Sequence, residues 1–368
     1  MAPRAGGGRR LRGQGDLDAE GEQAGPAPAP RPWAGPSVGA GSGGGTGGVQ
    51  DPLLTQCPGN MLVPCDTVLV PITDASDWGE DAVFVGVDDR FVAGNRTPNG
   101  VTRPFVLEVF DDGGISLDVL EIPLVGAVPP FAEAIDLAEA AGKVELLLCD
   151  PQECRIWIDA PSGIAMAVMP PVPAGIDPVG IVVPLPGRRC VFGDGVACAF
   201  QGTWTTYAEP GSGPRWRAAD GANGTAWFVG DEGAIGRFSA EGWTSYESPT
   251  QKTLHAVMAR DGKEAVAAGE QGAVVVINDS GARLDCAATD SDWRGVGRFY
   301  GGPGHDEFAL LADNHWFLKD PSSNQWCSFG VTTTTSPVEV DLVKCGDSSS
   351  WRLLLEGRLY GGDGCFVN

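Results

Sequence analysis

The stretches WRAADGANGTAWFVGDEGAIGRFSAEGWTSYESP (216–249) and LHAVMARDGKEAVAAGEQGAVVVINDSGARLDCAAT (254–289) say nearly the same thing twice. Superimposed, they pair Trp216 with Leu254, Phe228 with Ala267, Gly230 with Gly269, Gly233 with Gly272 and Trp243 with Leu284, at offsets of 38 to 41 residues. Each copy reads as four short strands. The tight turn between the second and third is made of glycine and an acid. A unit of about 40 residues with four strands is the size of one blade of a radially repeated sheet architecture.

The central hairpin of this unit recurs outward in both directions. In chain order it is DAVFVGVDDRFVAG (81–94), KVELLLCDPQECRIWI (143–158), RCVFGDGVACAF (189–200), AWFVGDEGAIGRF (226–238), EAVAAGEQGAVVVI (264–277), EFALLADNHWFL (307–318) and WRLLLEGRLYGG (351–362). Residues 95–122 lengthen the first step and read as an insertion with a strand pair of its own. The strands are apolar at consecutive positions, as in WFV, VVVI and LLL, so both faces of each sheet leave water. A lone four-stranded sheet cannot cover both of its faces. Stacking each sheet between two like sheets around an axis can, and leaves only short edges. The sequence therefore predicts an all-β chain with a single β-propeller of seven four-stranded blades, six or eight being the neighbouring solutions. The propeller is expected over residues 53–368. Residues 1–52, with GPAPAPRP and GAGSGGGTGG, read as a disordered leader or tether that cannot bury enough apolar surface to order itself.

The template resembles bacterial propeller repeats of the G-D-x-G-x-I type. It is also similar to propellers of the photosystem II assembly factor kind and to WD40/YVTN/BNR-like repeats. VGDEGAIGRF (229–238), AGEQGAVVVI (268–277) and FGDGVACAF (192–200) carry the likeness. It is good over residues 176–330 and poor over 65–175 and 340–368. The resemblance implies an architecture and no particular activity. The Ser-x-Asp-x-Gly-x-x-Trp box of sialidase-type propellers and the Trp-Asp ending of WD40 blades are both absent.

The chain has 368 residues, 54 glycines, 29 prolines and a formal charge of −23. Residues 1–50 hold Arg4, Arg9, Arg10, Arg12 and Arg31 against Asp16, Asp18, Glu20 and Glu22, so the propeller carries the negative charge. That field repels a phosphate backbone and excludes nucleic acid as the expected partner. It suits a basic protein or peptide. No run of eighteen apolar residues exists, so no transmembrane helix is expected, and the first thirty residues lack the apolar core of a secretory signal.

Ten cysteines give the clearest chemical signal. Cys149 and Cys154 flank one hairpin turn and Cys190 and Cys198 another, at spacings that bring them face to face across antiparallel strands. Cys286 and Cys327 fall on matching outer strands of successive blades. Cys57 and Cys65 near the start, with Cys345 and Cys365 near the end, are placed to help close a ring. Disulfides favour an extracytoplasmic location. Paired CxxC motifs and clustered histidines are missing, so no zinc site is expected.

Two sets of polar residues are binding candidates. Asp194, Asp231, Glu232, Glu270 and Asp313 occupy the turns between second and third strands, and Glu209, Glu247, Asp290 and Asp292 the blade-to-blade connections on the same side. A carboxylate rim of this kind can hold Ca²⁺ or a basic partner, although turn chemistry alone also selects Asp and Gly there. Arg217, His255, Arg294 and Asp341 share one template position on the innermost strands and would form a mixed-charge belt at the channel. The histidines His255, His305 and His315 show no nucleophile at readable spacing. The tryptophans Trp204, Trp216, Trp243, Trp293, Trp326 and Trp351 recur near the blade period and read as core. The resulting expectation is a monomeric, non-catalytic, cofactor-free binding or assembly scaffold acting through its acidic rim, with a carbohydrate-active or other hydrolytic propeller as the alternative.

Overall fold

The computed structural model describes residues 63–64, 70–79, 81–88, 91–111, 117–160, 163–167, 169–285, 291–300, 306–312, 315–319, 326–330, 350–355 and 358–363, with backbone alone for several strands toward both ends. The chain separates into two units, 1–49 and 50–368. All described residues belong to the second, which is a β-propeller.

The described strands form seven sheets, here called blades 1 to 7. Blade 1 is Val83–Asp88, Phe91–Arg96, Arg103–Asp111 and Leu117–Ile122. Blade 2 is Glu133–Ala140, Lys143–Cys149, Cys154–Ala160 and Gly163–Met166. Blade 3 is Pro178–Leu185, Arg188–Gly193, Val196–Phe200 and Thr203–Ala208. Blade 4 is Trp216–Ala222, Thr225–Gly230, Ile235–Ser239 and Gly242–Tyr246. Blade 5 is Leu254–Ala259, Glu264–Gly269, Val274–Asn278 and Gly281–Leu284. Blade 6 is Trp293–Tyr300, Asp306–Ala312, His315–Lys319 and Trp326–Gly330. Blade 7 contains Ser350–Leu355 and Arg358–Asp363. The strands listed within each blade pair antiparallel in succession.

Strands from elsewhere in the chain complete three of these sheets. Val70–Asp74 pairs antiparallel with Arg358–Asp363, so an early strand finishes the last blade. Val63–Pro64 adds a short parallel strand to the outer edge of blade 6 at Cys327–Ser328. Leu124–Val125 does the same to blade 2 at Ile164–Ala165. Sharing strands between the two ends of the repeat ties the ring together and covers edges that would otherwise invite pairing with another chain.

The two-sided apolar strands explain the stacking directly. On a strand, successive side chains point to opposite faces. In blade 2, Leu146 and Leu148 enter the core shared with blade 1, and Leu147 the core shared with blade 3. In blade 4, Ala226 and Phe228 face blade 3, whereas Trp227 and Val229 face blade 5. In blade 5, Ala265, Ala267, Val275 and Ile277 face blade 4, and Val266, Ala268, Val274 and Val276 face blade 6. Each inter-blade core is thus built from alternate residues of two sheets. Trp157, Trp227 and Trp293 are fully buried in these layers. At roughly 1.5–3 kcal/mol per large apolar side chain removed from water, the layers supply the main stabilisation.

The Gly-acid-x-Gly turns have a steric cause. A Cβ at Gly193, Gly230 or Gly269 would sit 1.9, 2.2 or 2.0 Å from the carbonyl oxygen of Asp177, Arg215 or Thr253, the backbone just ahead of the innermost strand. The turn then closes with Glu232 and Gly233, or Gln271 and Gly272, at positive φ. Asp231 N donates to Arg215 O and Glu270 N to Thr253 O, both at 2.9 Å, pinning the turn to the strand entrance.

One sequence expectation is corrected here. The hairpin 81–94 supplies the first and second strands of blade 1, not the second and third, and residues 95–122 are no insertion, because they provide its third and fourth strands. The turn equivalent to Asp231–Gly233 is Pro98–Gly100, with Asn99 and Gly100 at positive φ. It has the same geometry without the Gly-acid signature, which put the repeat out of phase by one strand.

The two hairpin disulfides are present. Cys149–Cys154 and Cys190–Cys198 join directly opposed residues with Cα atoms 4.0 Å apart. Cys57, Cys65, Cys286, Cys345 and Cys365 lie outside the described residues, and Cys327 is described by its backbone alone.

Candidate functional site

Innermost strands of successive blades lie against one another from Val83–Asp88 round to Trp293–Tyr300, and Ser350–Leu355 lies against Val83–Asp88. Side chains and backbone from the innermost strands of blades 1 to 6 enclose an axial cavity of about 140 Å³. Asp88, Asp136, Asp220, His255 and Arg294 are among its lining residues.

A β-bulge sets the mouth of this cavity. In each of blades 1 to 6 the innermost strand slips by one residue against the second strand near its entrance, at Val85, Ile135, Val179, Arg217, His255 and Arg294. A bulge re-aims the extra side chain. In blades 1 to 3 that residue is apolar and packs into an inter-blade core. In blades 4 to 6 it is Arg217, His255 or Arg294, which keeps a polar end at the mouth.

The two candidate sets from the sequence therefore meet. Arg217 forms a two-pronged pair with Asp231 of its own blade, Nε to Oδ1 at 2.7 Å and Nη2 to Oδ2 at 3.1 Å. Hydrogen bonding to Asp231 raises the Arg217 pKa further, against the opposing effect of burial. One blade on, His255 Nε2 stands 3.9 Å from Glu270 Oε1. Burial pushes the His255 pKa down, and Arg294 and Arg217 add to this while Glu270 and Asp292 resist it. Glu270 Oε2 also accepts from Thr253 N at 3.2 Å. Asp194 pairs with Arg215 at 3.3 Å, and the same guanidinium reaches Asp177 at 3.1 Å. Glu232 is exposed at the tip of its turn, and Asp292 accepts from Gln271 N at 2.8 Å. Asp231, Asp194, Glu270 and Asp292 are thus engaged by neighbouring guanidinium or backbone N–H groups rather than standing bare. Asp313 and Asp341 lie outside the described residues.

Sequence reading missed three aspartates deeper in the channel. Asp88 Oδ2 accepts from Glu139 N at 2.7 Å, Asp136 Oδ2 from Ile181 N at 2.9 Å and Asp220 Oδ2 from Ala259 N at 2.8 Å. Each carries a hydrogen bond from one innermost strand to the next blade's innermost strand. These backbone donors sit at the inner edge of a sheet, where no further strand exists to pair them. Asp88 and Asp220 both fall three residues after the bulge, a spacing visible in VGVD and RAAD. The cavity carboxylates thus act as inter-blade ties. Among the described residues no group of three or more His, Cys, Asp or Glu is placed to hold a metal ion, and no helix is long and apolar enough to cross a membrane.

The fold has many solved counterparts. A structure of U3-55K aligns over 81% of this chain and 99% of its own, with a TM-score of 0.56 and 10% identity. YCF48 bound to D1 peptide aligns over 82% and 98%, with a TM-score of 0.56 and 11% identity. The WD40 repeats of RRP9 align over 81% and 98%, with a TM-score of 0.55 and 9% identity. At such identities the likeness is one of fold. No family model matches the sequence, and no curated protein matches it.

Proposed function

We propose that this chain is a non-catalytic propeller scaffold that holds a basic protein or peptide segment across the channel mouth, on the side bearing the Gly-acid turns. One observation carries the reading. Around the mouth from blade 3 to blade 6, Asp177, Asp194, Glu209, Asp231, Glu232, Glu247, Glu270 and Asp292 stand against Arg215, Arg217, Lys252 and Arg294, two carboxylates for each cation. Burial lowers the His255 pKa, which disfavours a further positive charge there. The mouth therefore presents a negative field over a preformed cavity, which attracts and orients a cationic segment. YCF48, which shares this fold, has been solved with a peptide bound. The paired hairpin disulfides add support for an oxidising, extracytoplasmic setting.

Hydrogen exchange on the full chain with and without a lysine-rich dodecapeptide tests the site. The peptide should slow exchange at 231–233 and 270–272 and leave the opposite turns at 186–187 and 201–202 unchanged. Protection spread evenly over both faces, or none at saturating peptide, would overturn the assignment.

A further inference from the structure

We infer that the opposite face carries a second, independent contact surface, at the open end of the crevice between blades 3 and 4. Its occupant is a protein segment presenting a carboxylate beside an apolar side chain. Leu185 pairs with Arg188 across the first turn of blade 3, and Arg188 pairs with Phe200 across the next strand. Directly opposed residues share a face of the sheet, so the three side chains form one contiguous patch. Leu185 is 46% exposed and Phe200 55%, although both are large and apolar.

Arg188 lies between two rings, its guanidinium carbon 5.5 Å from the centroid of Phe200 and 5.5 Å from that of the buried Phe238 in blade 4. Two residues further along the same strands, Cys190–Cys198 clamps this strand pair. The patch is therefore held in place before anything binds, which lowers the ordering cost of association.

The charges of blades 3 and 4 point to the chemistry of the partner. Among the described residues, the other arginines of blades 3 and 4 and of the link between them have a carboxylate each: Arg189 has Glu145, Arg215 has Asp177, Arg217 has Asp231 and Arg237 has Asp279. Among the described residues none forms an ion pair with Arg188, in a chain of net charge −23 where acids are abundant. Glu241 feels the Arg188 charge but takes its hydrogen bond from the Ser239 hydroxyl. An aromatic-backed arginine flanked by exposed apolar side chains is the composition of an interface hot spot. Its unfilled need is an anion with a hydrophobic neighbour. This face lies at the ends of the strands remote from the Gly-acid turns, so it is separate from the mouth.

Selection of a random dodecapeptide display library on the full chain tests the inference. A class of captured peptides should carry Asp or Glu next to an aromatic or aliphatic residue. Arg188→Gln and, separately, Phe200→Ser should weaken that class by about tenfold or more. Phe200 and Leu185 are exposed, so Phe200→Ser and Leu185→Asn should melt within a few degrees of wild type, which keeps the comparison interpretable. Equal capture by wild type and Arg188→Gln would overturn the assignment. So would a change confined to self-association by sedimentation, which would make a second copy of this chain the occupant.

Discussion

Replacing Asp220 should loosen one blade junction more than any other part of the molecule. Its Oδ1 accepts from Gly221 N and its Oδ2 from Ala259 N, both at 2.8 Å, the second across the boundary between blades 4 and 5. Hydrogen bonds to a charged group are worth roughly 1.5–3 kcal/mol each. Asp220 is only partly buried, and channel water can take over part of what Asp220→Ala removes, so the expected loss is about 2–3 kcal/mol. Asp220→Asn keeps one acceptor and should lose about half as much. Urea denaturation gives the global loss, and hydrogen exchange gives its location. The Ala259 amide should exchange faster by about tenfold or more while amides at the junction of blades 2 and 3 keep their rates. An Ala259 amide as protected in Asp220→Ala as in wild type would refute the claim that the channel aspartates tie neighbouring innermost strands.

Other expectations follow from the same geometry. Gly230→Ala puts a Cβ 2.2 Å from Arg215 O and should cost about 2–4 kcal/mol in urea denaturation. Gly213→Ala, which meets nothing within 4 Å, should stay within about 0.5 kcal/mol. For His255 the sign is set by its depressed pKa. The unfolded chain takes up the proton near pH 6.5 whereas the folded one resists it, so this residue's contribution is present above about pH 6.5 and is lost as pH falls below it. From neutral pH down to about pH 5 the melting temperature of wild type should fall relative to that of His255→Asn; parallel curves would remove this site from the pH response.

Much of the fold is written in the strands themselves. WFV, VVVI and LLL are apolar at consecutive positions, and alternate side chains do enter different inter-blade cores. The hairpin disulfides were legible because cysteines at either side of a short turn are forced into register. Blade 1 was not legible in phase, since Pro98–Gly100 achieves with Asn99 and Gly100 what acid-x-Gly does elsewhere. At the site, the template position of Arg217 and His255 was readable, but not that a bulge would carry Arg217 onto Asp231. Asp88, Asp136 and Asp220 escaped because a lone aspartate on a strand looks like a solvent-facing residue until the adjacent sheet's amide is in place.

The functional account rests on the excess of carboxylates at the channel mouth. Its most direct test is fluorescence anisotropy with a lysine-rich dodecapeptide and a glutamate-for-lysine counterpart, on wild type and on a chain carrying Asp231→Arg and Glu270→Arg. The account predicts that wild type favours the basic peptide, that the double variant weakens it by about tenfold or more, and that added salt narrows the difference. Equal binding of both peptides, or an unchanged basic-peptide affinity in the variant, would contradict it.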